Sequence, residues 1–183
     1  RTSRRLRPDA HILVATVFDD ERSVVNAICA GATGYLVKDS TPAEWVAALE
    51  ALKQAGKIRY YGVSCDTLDA AYAALKHAGV SSLQVPVNLL SREFLPVLDK
   101  AQDAGVGVIA RECLANGLLV KELSPEQIRS YCQSDVEAAD KAAQIDGHRR
   151  KAAESGNPLA QFALRWVCTL DGVSVSLIGV SSL

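Results

Sequence analysis

Methionine is missing from all 183 residues, and the chain opens on Arg1. The expectation that follows is an excerpt of a longer chain, natural or engineered. Long apolar runs are missing too. No stretch approaches the roughly 20 residues that span a bilayer. Asp9, Asp19 and Asp20 interrupt the basic N-terminus before a signal-peptide core can form. A cytoplasmic protein without a membrane partner is expected. Charge of one sign is also in short supply. A net charge of -1 gives no overall pull toward nucleic acid or anionic lipid. The basic cluster of Arg1, Arg4, Arg5 and Arg7 reads as a frayed end rather than a binding arm. Paired cysteines are lacking as well: Cys29, Cys65, Cys113, Cys132 and Cys168 are odd in number and contain no C-x-x-C. Reduced thiols fit this pattern; a disulfide framework or a zinc site does not, and no metal is expected.

What is present is the composition of an ordinary globular domain, 49% hydrophobic and 22% charged. The length suits one compact domain, or two that share a sheet. Residues 11–17 are an apolar, β-branched run expected as a buried strand, and 21–30 have helical spacing ended by Gly31. A strand at 35–37 precedes Thr41-Pro-Ala-Glu44, a capping box opening a helix that runs to Gly56. Further strands are expected at 58–63, 82–87, 107–110 and 175–178, and helices at 68–77, 93–104, 135–154 and 159–170. Ser124-Pro-Glu-Gln127 is a second capping box, and Asn157-Pro158 is expected to cap the last helix. Six strands separated by helices require parallel pairing with right-handed crossovers, hence an α/β fold.

Five phrases carry a family likeness. They are Gly56-Lys-Ile-Arg-Tyr-Tyr-Gly-Val-Ser64, Leu83-Gln-Val-Pro-Val-Asn-Leu-Leu90, Gly105-Val-Gly-Val-Ile-Ala-Arg-Glu-Cys-Leu-Ala-Asn-Gly117, Ala160-Gln-Phe-Ala-Leu-Arg-Trp-Val167 and Ser176-Leu-Ile-Gly-Val-Ser-Ser182. In this order they resemble the second half of an aldo-keto reductase barrel, over about residues 45–183. The resemblance implies a partial TIM barrel of about six strands and an NADP(H) cofactor. It implies that Ser64 and Gln84 hydrogen-bond the nicotinamide carboxamide, with Cys65 standing where an Asn is usual. Arg111 would occupy the position of an aromatic that stacks on the ring. Leu114, Asn116 and Gly117 would approach the pyrophosphate, and Ser181 and Ser182 the adenosine phosphate. The family's proton-donating Tyr and its Lys, Asp and His partners belong to strands one to four, which the resemblance does not reach. Tyr60 and Tyr61 stand in the wrong place to replace the donor. No catalytic residue is therefore assigned, and without a general acid for the developing alkoxide little reduction is expected.

A second likeness precedes the first. Arg7-Pro-Asp-Ala-His-Ile-Leu-Val-Ala-Thr-Val-Phe-Asp-Asp-Glu21 and Ala30-Gly-Ala-Thr-Gly-Tyr-Leu-Val-Lys-Asp39 are similar to the fourth and fifth βα units of a response-regulator receiver. That resemblance implies a flavodoxin-like portion over about residues 7–50, with Thr16 and Lys38 at phosphoryl-contacting positions. Asp19 and Asp20 do not replace the phosphoacceptor.

The two likenesses meet within residues 42–52, and a chimera is the expectation, with segments 1–50 and 51–183 forming one continuous unit. Residual NADP(H) binding at best is expected. The alternatives are a functional NADP-dependent oxidoreductase seen as a fragment, and a receiver-like signalling module. Open strand edges make self-association the expected partnership. Of the remaining polar residues, His77 and His148 are expected at the surface near helix ends, and Cys113 as an inert buried thiol.

Overall fold

The computed structural model describes residues 13–16, 26, 29, 34–37 and 42–179. The chain divides into two compact units, Arg1–Tyr61 and Gly62–Leu183. In the first, β1 (Leu13–Thr16) and β2 (Gly34–Val37) pair in parallel, Thr16 opposite Val37. The helix α1 (Pro42–Gln54) follows. It is anchored near its end, where the buried Tyr61 donates its hydroxyl hydrogen to Glu50 Oε1 at 2.6 Å and the Lys53 ammonium lies 5.7 Å from the Tyr61 ring centroid. Lys38, Asp19, Asp20 and Thr41, the N-cap of the expected first capping box, lie outside the described residues.

A four-stranded sheet forms the other framework, in the order β3 (Tyr61–Ser64), β4 (Val80–Pro86), β5 (Gly107–Arg111), β6 (Val173–Ser176). β4 pairs with β5 in parallel, and β5 with β6. Helices α2 (Leu68–Leu75) and α3 (Leu95–Asp103) make the crossovers between β3, β4 and β5. The longer passage from β5 to β6 holds α4 (Pro125–Arg129), α5 (Asp135–Glu154) and α6 (Leu159–Cys168). Parallel pairing with helical crossovers is as the alternation of elements predicts.

The faces of the sheet follow from strand alternation. Leu83 and Val85 of β4 lie opposite Val108 and Ala110 of β5, all fully buried. Val97, Leu98 and Ala101 of α3 and Val167 of α6 are buried as well. Gln84, Pro86, Ile109 and Arg111 alternate onto the other face and are only half-buried. A second cluster joins Leu89, Leu118, Leu119, Ile128, Ile145, Ala152, Leu159 and Ala163.

The capping box at Ser124 is formed as expected: Ser124 Oγ accepts from Gln127 N–H, and Gln127 Oε1 accepts from Ser124 N–H. Three expectations need correction. Asn157 does not cap α6; Pro158 holds that position without a side-chain bond, because Asn157 Oδ1 is taken by Arg165. The last strand is Val173–Ser176, earlier than 175–178, since Val108 and Ala110 of β5 find their partners there. His148 sits inside α5 rather than at its end and is half-buried. Burial first, then the neighbouring Arg92 and Lys151 charges, hold its pKa below the ordinary value, while a hydrogen bond to the Leu89 backbone works the other way. His77 is exposed just beyond α2, as expected.

Candidate functional site: the mouth of the β3–β6 sheet

The C-terminal ends of parallel strands lie at one edge of the sheet, and the loops that follow them there build sites. Ser64 ends β3, exposed, and the next N–H, that of Cys65, donates to Gln84 O at 2.9 Å. Ser64 and Gln84 are thus brought onto adjacent strands. Arg111 ends β5 opposite Pro86, on the same sheet face as Gln84.

The chain after Arg111 winds through a tight, left-handed passage. Glu112, Ala115 and Asn116 have φ values of 56°, 49° and 54°, and Gly117 follows at 96°. Left-handed backbone costs about 1–2 kcal/mol for a residue with a Cβ, and such strain gathers at functional sites. Hydrogen bonds close the turns: Ala115 N–H donates to Glu112 O at 2.7 Å and Gly117 N–H to Leu114 O at 3.1 Å. Asn116 Nδ2 reaches Glu112 Oε2 at 3.4 Å. The Cys113 thiol is 2% exposed and bonds Ala110 O at 3.3 Å. Burial raises its pKa. It is buried, as expected, and it stands in the wall of the cavity described next.

Arg111, Leu114, Asn116 and Gly117 all line one cavity of about 740 Å³. Four of the expected cofactor-loop residues therefore converge. Ser64 and Gln84 do not line it, and Ser181 and Ser182 lie outside the described residues. Phrase-level reading missed the apolar wall of the cavity (Val120, Leu123, Tyr131, Leu177 and Ile178) and its cation Lys121. It also missed the carboxylates on Arg111. Nη2 binds Asp66, in the loop after β3, and Nη1 binds Glu112. The third nitrogen, Nε, is buried and has no hydrogen-bond partner among the described residues. An unsatisfied buried donor costs about 1–3 kcal/mol. The signal for Asp66 was in the sequence, a carboxylate two residues past Ser64, but nothing local tied it to an arginine 45 residues on. Cys65, between Ser64 and Asp66, is 1% exposed, and burial raises its pKa.

The sequence pattern described as the Aldo/keto reductase family matches residues 27–183. The chain belongs to that family. Its match begins earlier than residue 45, so it takes in residues 27–44, which the phrase-level likeness assigns to a receiver. Protein tas of Escherichia coli is 30% identical over 177 residues, covering 85% of this chain and 50% of that protein. L-galactose dehydrogenase of Arabidopsis thaliana is 28% identical, covering 79% of this chain and 44% of the relative. The chain spans about half the length of these curated relatives. Among solved structures, the glycerol dehydrogenase of Gluconobacter oxydans aligns with a TM-score of 0.62 at 25% identity, over 97% of this chain and 51% of that one. An apo aldo-keto reductase of Bacillus halodurans gives 0.61 at 25% identity, over 81% and 51%. The α/β architecture with parallel strands is that of part of an aldo-keto reductase barrel.

Proposed function

We propose that these residues are the cofactor-holding part of an NADP(H)-dependent oxidoreductase, and that the 183-residue chain binds the dinucleotide weakly while reducing carbonyls little or not at all. The observation that carries the reading is the convergence of Arg111, Leu114, Asn116 and Gly117 on one cavity at the sheet mouth. A volume of about 740 Å³ lies in the range of small-molecule sites, roughly 300–1,000 Å³. Its lining fits the group. Asn116 and Lys121 offer donors and charge for phosphate oxygens, and Val120, Leu123 and Tyr131 offer apolar surface for ring faces. Ser64 and Gln84, side by side across β3 and β4, suit an amide. Bound NADPH would supply the hydride; the chain's own part is to hold and orient it. The weak turnover rests on the family resemblance, which finds no counterpart here to the Asp, Tyr, Lys and His of the reaction.

Titration of the chain with NADPH, followed by the fluorescence of the reduced ring, tests the reading. Saturation below millimolar cofactor is expected, with no turnover of a generic aldehyde. A flat titration at millimolar NADPH removes the cofactor assignment, and brisk aldehyde reduction removes the claim of weak chemistry.

Self-association belongs to the same proposal. Among the described residues β6 ends the sheet and exposes Val175, with Leu177 and Ile178 exposed just beyond it. Light scattering behind size exclusion should give a mass above 19.5 kDa at micromolar concentration, and a monomer at all concentrations would reject it. A receiver-like reading of the first fifty residues keeps only the parallel pairing of β1 and β2, in which Thr16 ends β1, and β2 lies inside the reductase family match. Labelling of an aspartate by acetyl phosphate is its test; no labelling is the outcome that sets it aside.

A further inference from the structure

The end of the β5–β6 ladder gathers two thiols from distant parts of the chain. Ala110 of β5 stands opposite Ser176 of β6, and Leu177 N–H donates to Ala110 O at 2.8 Å. From the loop after β5, the Cys113 thiol donates to that same carbonyl oxygen at 3.3 Å. Cys168, the last residue of α6, places its sulfur 3.5 Å from Ser176 Oγ. The Ser176 hydroxyl also hydrogen-bonds the Cys113 sulfur. Two sulfurs that share one hydroxyl are no more than two hydrogen bonds apart, and a turn of the exposed Cys168 side chain between staggered positions can close the gap.

The two thiols differ in access. Cys168 is exposed, whereas Cys113 is 2% exposed. Redox-sensing cysteines are accessible and stand beside a second thiol that resolves the oxidised sulfur. Burial holds the Cys113 proton in place, and the charge of a Cys168 thiolate adds to that effect. Its own N–H, the Leu177 N–H and the Ser176 hydroxyl favour the anion. Oxidation of Cys168 to a neutral sulfenic acid removes the opposing charge just when Cys113 must give up its proton. Cys65, buried as deeply, has Asp66 and Arg111 around it in place of a second thiol.

We propose that Cys113 and Cys168 form a peroxide-responsive pair, in which the exposed Cys168 is oxidised first and the buried Cys113 resolves it to an intrachain disulfide. The oxidant is a hydroperoxide. The Cys168 sulfur attacks one peroxide oxygen: an S–O bond forms, the O–O bond breaks, and the other oxygen departs as water with the thiol proton. The Cys113 sulfur then attacks the Cys168 sulfur. The S–S bond forms, the S–O bond breaks, and the oxygen leaves as water with the Cys113 proton. Two thiols and one hydrogen peroxide thus become one disulfide and two waters. The bridge closes a loop containing α4, α5 and α6, and it pins the cavity wall at Cys113 to the end of α6. Nothing in it depends on the cofactor assignment.

The test treats the reduced chain, at low micromolar concentration, with hydrogen peroxide, then alkylates it and digests it with trypsin. Cys113 falls in the peptide Glu112–Lys121 and Cys168 in Trp166–Leu183, each holding a single cysteine. A joined peptide, lighter than the sum of the two by two hydrogens, is expected. The alkylated forms of both peptides should fall together by equal amounts, while Cys65 stays alkylated, and dithiothreitol should restore both. Cys168→Ser should leave Cys113 reduced over the same period. Cys113→Ser should halt Cys168 at the sulfenic acid, captured by dimedone. Should Cys113→Ser fail to fold, the parent peptide map and Cys168→Ser still decide. Cys168 unoxidised, Cys168 oxidised while Cys113 stays free, or Cys168 bridged instead to Cys29 or to a second chain would each overturn the proposal. So would oxidation of Cys113 in Cys168→Ser at the parent rate.

Discussion

Replacing Gly62 with alanine is expected to be severe, and the reason lies in one backbone atom. An added Cβ at Gly62 of β3 would stand 2.1 Å from Ser82 Oγ, 2.6 Å from Ser82 O and 3.2 Å from its carbonyl carbon. A tolerable carbon–oxygen contact begins at about 3.3 Å, so the carbonyl must give by roughly 0.7 Å. The Ser82 hydroxyl can rotate away. Its carbonyl cannot, because Ser82 is held in β4 opposite Gly107 of β5. Overpacking of this kind costs about 1–3 kcal/mol, and the backbone obstacle places Gly62→Ala near the upper end, at about 3 kcal/mol. For a chain of this length that lowers the melting temperature by roughly 6–12 °C. Thermal and urea unfolding followed by circular dichroism measure it, with Gly62→Ala/Ser82→Gly beside the single variant. The second change removes the hydroxyl and leaves the carbonyl, so most of the loss should persist. Prying β3 from β4 would also separate Ser64 and Asp66 from Gln84 and Arg111, so NADPH affinity should fall as well. A single variant within about 0.5 kcal/mol of the parent, the range of innocuous surface changes, or full rescue by the double variant, would refute the argument.

Ser124→Ala opens the capping box of α4 and should cost about 1 kcal/mol in urea unfolding, a loss that Ser124→Asp should largely avoid. Burial, then the bond to Glu50 and its charge, push the Tyr61 hydroxyl up to about 12. The unfolded phenol ionises near pH 10, so the folded state holds this proton: its stabilising effect is full below pH 10 and is lost as pH rises toward 12. Tyr61→Phe should flatten stability across that window. The folded His148 is held neutral, with a pKa below the unfolded value of about 6.5. Its stabilising effect is present above that pH and fades as pH falls through and below it, so His148→Gln should weaken the acid dependence of the urea midpoint; an unchanged slope would show that the imidazole is not responsible. A thiol reagent at neutral pH should label the exposed Cys29 and Cys168 first and reach the buried Cys65 and Cys113 only on unfolding; peptide mapping of a brief pulse distinguishes them.

Much of the fold was legible because its signals are local. Helical spacing and a polar face place α5 at Asp135–Glu154, the span expected, and Ser124 and Gln127 cap as their types predict. Strand ends were less legible. The residues at 58–60 have the apolar and aromatic character of a strand, yet β3 starts at Tyr61. The amides of Lys57 and Ile58 still bond Leu52 O at the end of α1. For β6 the limits are set by register against β5, a long-range fact that no window of sequence contains. The site divides in the same way. The loop 111–117 could be found from its phrase, whereas the Asp66–Arg111 bridge spans β4 and joins residues 45 apart.

That bridge and the loop below it explain how the cavity can keep its shape without a ligand. Three residues with a Cβ sit in left-handed backbone, Glu112, Ala115 and Asn116; at about 1–2 kcal/mol each this amounts to roughly 3–6 kcal/mol of strain. The next two side chains, Leu118 and Leu119, are 5% and 0% exposed and belong to the cluster with Ile128, Ile145 and Leu159. Burying two leucines contributes about 1.5–3 kcal/mol each, or roughly 3–6 kcal/mol, which matches the strain upstream. The core beneath α4, α5 and α6 therefore fixes the winding of the loop, and the ion pairs of Arg111 with Asp66 and Glu112 fix its entrance. A ligand entering such a site meets donors already aimed, so little ordering is left to oppose binding. Loosening Leu118 or Leu119 should then weaken the proposed dinucleotide binding from a distance, through a loop that no longer holds its turns.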